Sequence, residues 1–109
     1  MKRGSIVVVA ARGAYTGKPR PALVVQSDLF NPTHASVTIC PVTSDCVDAP
    51  LFRLTLPAGP RTGLKSVSQV MVDKIVSVPR SAIREEIGEC DDRELAVVED
   101  GLRRWLELE

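Results

Sequence analysis

The chain alternates short apolar runs with turn-forming clusters. Ser5 to Ala10 is a Val-rich run that predicts a first strand, Ala22 to Gln26 a second, and Ser36 to Val42 a third. Pro41 falls inside the third run, so that strand needs an edge or a bulge there. Phe52 to Leu56 alternates apolar with polar residues and predicts a half-exposed strand. Ser66 to Val72 alternates in the same way, Ile75 to Val78 continues the pattern, and Ile87 to Glu89 predicts one last short strand. Ser27 to Asn31 predicts one turn of helix capped by Ser27 or Asp28, and Asn31 to His34 a turn. Pro79 to Arg84 predicts a short helix opened by Ser77, with Pro79 in its first turn. The period then changes. Leu95, Val98, Leu102, Trp105 and Leu106 or Leu108 recur at helical spacing, and Asp91 stands three residues before Glu94 as in a capping box. This predicts an amphipathic helix from Asp91 to Leu108 lying on the sheet, with Trp105 packed beneath it.

Short strands, long loops and terminal helices predict a mainly β (α+β) fold: a small SH3-like barrel with short helices and a C-terminal amphipathic helix. A chain of 109 residues has room for one domain, residues 1–109. Its aromatics are Tyr15, Phe30, Phe52 and Trp105, so Val, Ile, Leu and Ala must build the core. The longest apolar run, Ile6 to Ala11, is too short to span a bilayer. The basic Met-Lys-Arg start has no small-residue cleavage site after it, so the expectation is a soluble cytosolic protein. Cys40, Cys46 and Cys90 are odd in number and form no CxxC, which excludes a paired disulfide framework and leaves too few ligands for a structural zinc. They are expected to be reduced thiols.

Net charge is zero, but it is unevenly spread. Residues 1–80 hold ten Lys and Arg against four Asp and Glu, a net of +6, and residues 81–109 hold four against ten, a net of −6. A basic body suits a polyanion, and an exposed acidic helix explains the other half equally well.

The familiar signatures of chemistry are missing: there is no GxxxxGKS loop, no GxGxxG and no HExxH. The sole histidine, His34, lies in a turn and reads as a solvated or capping residue, so a two-histidine acid–base nuclease is impossible within one chain. What remains is Lys18-Pro19-Arg20-Pro21. Each Pro fixes its own φ and pushes the residue before it out of the helical region, so Arg20 is held in a stiff, extended approach to a strand. Such an Arg either packs against a structural partner or waits for an anion. Thr43 and Ser44 follow the third strand. If the second and third strands are neighbours, a planar guanidinium and two hydroxyls face one pocket, the donor set that an oxyanion or phosphate needs. Spacing alone equally allows Arg20 in a structural ion pair and Thr43 in a turn.

RPALVVQSD, then ICPVTSD, then SVSQVMVDKI with SVPRSAIREEIG, in this order, resemble the MazF/PemK family of toxins from bacterial toxin–antitoxin modules. Arg3-Gly4-Ser5-Ile6-Val7 resembles that family's start and the closing helix its end, so the resemblance covers essentially the whole chain. It implies a barrel of the plasmid-maintenance-toxin (CcdB/MazF) type, a homodimer, and a sequence-specific endoribonuclease that cuts single-stranded mRNA in the bacterial cytoplasm without metal or cofactor. It also implies attack of the ribose 2′-hydroxyl on the adjacent phosphate, leaving a 2′,3′-cyclic phosphate and a 5′-hydroxyl, with inhibition of translation and growth. A cognate antitoxin is expected to lay a flexible, acidic segment over the site.

Carried over by residue, Arg20 matches the Arg of the family's RP motif and would clamp the scissile phosphate. Thr43 matches its strand-end Thr, with Ser44 as helper. Asp73 matches an acidic position that some relatives use and is the candidate base. Those relatives carry an Arg two residues earlier, where this chain has Met71, so Arg61 or Lys65 would have to supply the missing cation. Lys18, Arg61 and Lys65 are expected on the RNA backbone. Arg12 and Tyr15, in the loop between the first two strands, are expected either to stack or clamp bases or to make no base contact. The same fold is shared by CcdB-like toxins, which trap DNA gyrase and cut no RNA. Val25-Gln26-Ser27-Asp28, Ser77-Val78-Pro79 through Glu85-Glu86, and a Trp near the C-terminus, here Trp105, touch that alternative. Arg20-Pro21 with Thr43-Ser44 is explained by the ribonuclease reading alone.

Overall fold

A computed structural model describes residues 1–10 and 18–109. Arg12 and Tyr15, the expected base contacts, lie outside the described residues. Seven strands are formed: β1 (Ser5–Val9), β2 (Arg20–Val24), β3 (Ser36–Thr43), β4 (Arg53–Leu56), β5 (Ser68–Met71), β6 (Val76–Pro79) and β7 (Ile83–Glu89). Single 3-10 turns cover Val72–Lys74 and Arg80–Ala82, and one helix, α1 (Asp92–Leu106), closes the chain. Neighbouring strands are antiparallel in the order β4-β5-β3-β2-β1-β7, and β6 also pairs with β3.

β3 holds this arrangement together by changing partners along its length. Val37 to Ile39 face Val78 to Val76 of β6, whereas Val42 and Thr43 face Val70 and Gln69 of β5. Pro41 stands between these two ladders, where a missing N–H breaks no pairing on that flank. Pro21 is tolerated for a related reason. It pairs with Val8 of β1, but the β2–β3 ladder begins only at Ala22.

The uninterrupted apolar runs Ile6 to Val9 in β1 and Ala22 to Val24 in β2 follow from burial on both faces. Ile6, Leu23, Val25, Cys40 and Val42 join Leu56, Val70, Val72 and Val98 in one core cluster. Val7, Val9, Ala22, Val24, Val37 and Ile39 join Ala82 in a second. The helix is fastened at its start by the expected capping box. Asp91 Oδ1 accepts from the Glu94 N–H, and Glu94 Oε1 accepts from the Asp91 N–H, each at 2.8 Å. Leu95, Val98 and Leu102 pack on the first cluster. Arg3 ties the start of the chain to this helix through an ion pair with Glu99.

The expected mainly β fold with its C-terminal helix is formed, and its small barrel is an open one: among the described residues β4 and β7 end the ladder and do not pair with each other. The connector between β4 and β5 bridges the gap instead, with the Glu89 N–H donating to the Arg61 carbonyl at 2.9 Å. Two glycines permit this approach. A Cβ on Gly63, whose φ is +71°, would lie 2.0 Å from the Ile87 carbonyl oxygen, and one on Gly88 would lie 2.2 Å from the Thr62 carbonyl carbon. The segment after β2 forms hydrogen-bonded turns around Ser27 and Phe30 rather than a turn of helix. The expected helix at Pro79 is a 3-10 turn without a side-chain cap, because Ser77 lies in β6 and its hydroxyl pairs with that of Thr38 at 2.9 Å. Trp105 is not buried under the helix. It is 48% exposed, with its ring edge-on to Phe52 at 5.4 Å.

Candidate active site

The β2–β3 pairing decides where the candidate chemistry meets. Ala22 faces Pro41, so the beginning of β2 lies beside the end of β3. Arg20 begins β2 and Thr43 ends β3. Arg20, Thr43, Ser44 and Lys65 line one open cleft of about 360 Å³, with Pro19, Pro21, Gly63 and Ser66 around them. The strands supply Arg20 and Thr43, and the bridging connector supplies the opposite wall with Lys65.

Arg20 is exposed, and among the described residues its guanidinium has no carboxylate within ion-pair distance. The structural ion pair that spacing allowed is therefore absent among those residues. Thr43 does take part in a turn: its Oγ1 accepts the Asp45 N–H at 3.1 Å. A hydroxyl that accepts in this way still has its own proton to donate. The turn thus orients the donor rather than consuming it. Ser44 is exposed next to it. One guanidinium fork, two hydroxyls and one ammonium around an open concavity can bind a tetrahedral or trigonal-bipyramidal oxyanion.

Other candidates lie elsewhere. Lys18 is exposed on the approach to Arg20 but does not line the cleft. Arg61 is engaged structurally: its guanidinium donates to both carboxylate oxygens of Glu94, at 2.7 and 3.1 Å, and to the Glu89 carbonyl at 3.1 Å. The Glu94 contact raises the Arg61 pKa further. Asp73 sits in the 3-10 turn after β5, outside the cleft lining. Its Oδ1 is buried with no hydrogen-bond partner among the described residues. Burial first, and the Asp73 charge second, push the Cys40 thiol up to about 12. Among the described residues, no group of three or more His, Cys, Asp or Glu is placed to hold a metal ion, and no helix is long and apolar enough to cross a membrane.

Of the cleft wall, sequence reasoning found Lys65 but not Gly63 or Ser66: Ser66 falls in a run expected as a strand, and the place of Gly63 is set by its contact with β7. The one local signal was the glycine, which takes a positive φ at a close backbone approach.

Comparison with known proteins gives this geometry its context. The model of the PemK-like, MazF-like toxins of type II toxin–antitoxin systems matches residues 2–106. A probable endoribonuclease MazF of Mycolicibacterium smegmatis is 46% identical over 106 residues, covering 97% of this chain and 96% of its own. Endoribonuclease MazF9 of Mycobacterium tuberculosis is 32% identical, covering 99% and 98% of the two chains. Among solved structures, a chain of the MazE–MazF complex from Deinococcus radiodurans superposes with a TM-score of 0.84 at 31% identity, over 100% of this chain and 98% of that one. The gyrase-poison alternative gains nothing from these relatives. A match spanning nearly the whole chain, at this identity and over this fold, is decisive: the chain belongs to the PemK-like, MazF-like toxin family of type II toxin–antitoxin systems.

Proposed function

We propose that residues 1–109 act as a single toxin domain that cleaves single-stranded RNA in the bacterial cytoplasm. The observation that carries this reading is the meeting of Arg20, Thr43, Ser44 and Lys65 in one cleft, in a chain 46% identical to a probable endoribonuclease. The scissile phosphate sits against Arg20. The ribose 2′-oxygen attacks phosphorus, the bond to the 5′-oxygen breaks, the 2′ proton is released and the 5′-oxygen takes one up. The products are a 2′,3′-cyclic phosphate and a 5′-hydroxyl. Charge builds on the non-bridging oxygens in the pentacoordinate state. Donation from Arg20, Thr43 and Ser44 strengthens there, so it raises rate rather than affinity alone. Lys65 and Lys18 neutralise flanking phosphates. RNA is selected over DNA because the nucleophile is the 2′-hydroxyl.

Asp73 lies off the cleft, so solvent water in the open cleft takes the 2′ proton and supplies the one that the 5′-oxygen gains, and Arg61 is given no RNA contact because Glu94 holds it. The solved MazE–MazF relative supports a cognate antitoxin as partner. We assign that partner a flexible acidic segment that competes with RNA for the same cations, and a homodimer as the toxin's working form.

The test is incubation of the purified protein with a long unstructured RNA in EDTA, with both fragment ends mapped. Discrete cuts leaving cyclic phosphate and 5′-hydroxyl ends are expected, and Arg20→Ala should lower the rate about a hundred- to a thousand-fold. A strict need for Mg²⁺, or undiminished cleavage by Arg20→Ala, would refute the mechanism.

A further inference from the structure

Gln69 is a buried amide, only 7% exposed, on the strand that flanks the cleft. It faces Thr43 across the β3–β5 ladder but does not line the cleft. Both ends of its side chain bind one residue further along. Oε1 accepts the Val47 N–H at 3.0 Å, and Nε2 donates to the Val47 carbonyl at 2.9 Å. The side chain thereby takes the place of a strand neighbour and seals the turn that starts at Thr43. Inside that turn the Asp45 N–H meets Thr43 Oγ1. Residues 44 to 48 are exposed, so no packed core holds them. An apolar side chain of similar size would fill the same space without an amide to satisfy, so the amide's distinctive contribution is direction.

We propose that Gln69 is a positioning residue for RNA cleavage: by clamping Val47 it aims the Thr43 hydroxyl at the anion bound by Arg20. This rests on the ribonuclease reading of the cleft. Without the clamp the turn pivots about the end of β3, and the Thr43 proton leaves the line it shares with Arg20. A donor whose contact strengthens in the transition state is lost chiefly from kcat.

The test uses the full chain and an RNA oligonucleotide carrying one mapped cut site, with thermal unfolding followed in parallel. Gln69→Leu should lower kcat roughly ten- to a hundred-fold while KM stays within about threefold, because a small misplacement of a reacting group is enough for such a loss. Gln69→Glu keeps an acceptor for the Val47 N–H but loses the donor to its carbonyl, and it should fall between Leu and wild type. In a Thr43→Ala background Gln69→Leu should cost nothing more, since a residue acting through Thr43 has nothing left to aim. A folded Gln69→Leu that cleaves at the wild-type rate overturns the proposal, as does a loss that adds in full to that of Thr43→Ala. If Gln69→Leu fails to fold, Gln69→Glu decides by the same criteria. Wild-type cleavage by Thr43→Ala would instead refute the reading of the cleft itself, and the proposal with it.

Discussion

Thr62 makes a sharp test of how the cleft wall is held. It is 1% exposed and lies in the connector that carries Gly63, Leu64 and Lys65. Its hydroxyl donates to the Pro57 carbonyl at 2.7 Å and accepts the buried Leu64 N–H at 3.3 Å. Thr62→Val keeps the shape and removes both bonds. Losing the short hydroxyl–carbonyl bond costs about 1 kcal/mol, and stranding a buried N–H costs about 1–3 kcal/mol. The extra apolar methyl returns roughly 0.8 kcal/mol. The net loss is about 1–3 kcal/mol, a large part of the stability of a small domain. In a chain of this length that lowers Tm by roughly 4–12 °C. Thr62→Ser keeps the hydroxyl and loses one buried methyl, about 0.8 kcal/mol. The volume-conserving variant is therefore expected to be the worse of the two. Urea titration of the three proteins at one concentration measures both differences. A Thr62→Val protein as stable as Thr62→Ser, or more so, would refute the claim that polar bonds rather than packing hold this wall.

Gly63→Ala should fold poorly or lose most RNA cleavage, because a Cβ 2.0 Å from the Ile87 carbonyl oxygen meets backbone that cannot move aside; a cleavage assay beside a melting curve checks it. Asp91→Ala removes the acceptor for the Glu94 N–H and should cost about 1 kcal/mol, read by urea titration and a loss of helical circular dichroism. Burial pushes the thiols of Cys40 and Cys90 up to about 12 and about 11 from 9.0. Both stay protonated in the fold while the unfolded chain ionises, so their contribution to stability is full below about pH 9 and is lost as pH rises towards 11–12. Urea midpoints between pH 8 and 11 should fall accordingly. At pH 8 a thiol reagent followed by mass spectrometry should label exposed Cys46 first, and all three cysteines only after unfolding.

Local patterns carried well where one short segment answers to one force. The Val-rich start, the third apolar run and the 3.6-residue period after Asp91 became β1, β3 and α1 with small changes at their ends. The second strand begins at Arg20, not Ala22, because Pro21 is permitted beyond the end of the β2–β3 ladder. The last strand runs from Ile83, longer than its charged residues suggest, because Arg84, Glu85 and Glu86 are exposed along an edge. Periodicity marked Trp105 as apolar-facing, but period cannot say how far the partner surface extends, and the helix's last turn is only partly covered.

The sequence alone determined the mainly β architecture, the capped terminal helix, the family, and the stiff Pro-Arg-Pro approach that presents Arg20. All of these follow from backbone restriction, side-chain period or a colinear match of motifs, which are properties of neighbours along the chain. It did not distinguish Arg61 from Lys65, two cations four residues apart in one loop. Only the tertiary structure sends Arg61 to Glu94 on the helix and leaves Lys65 in the cleft. Nor did it place Asp73 off the cleft, leave the barrel open, or give Gln69 its hold on Val47. Those outcomes turn on which distant groups compete successfully for each side chain, and that competition is settled only when the strands pair and the connector closes on β7.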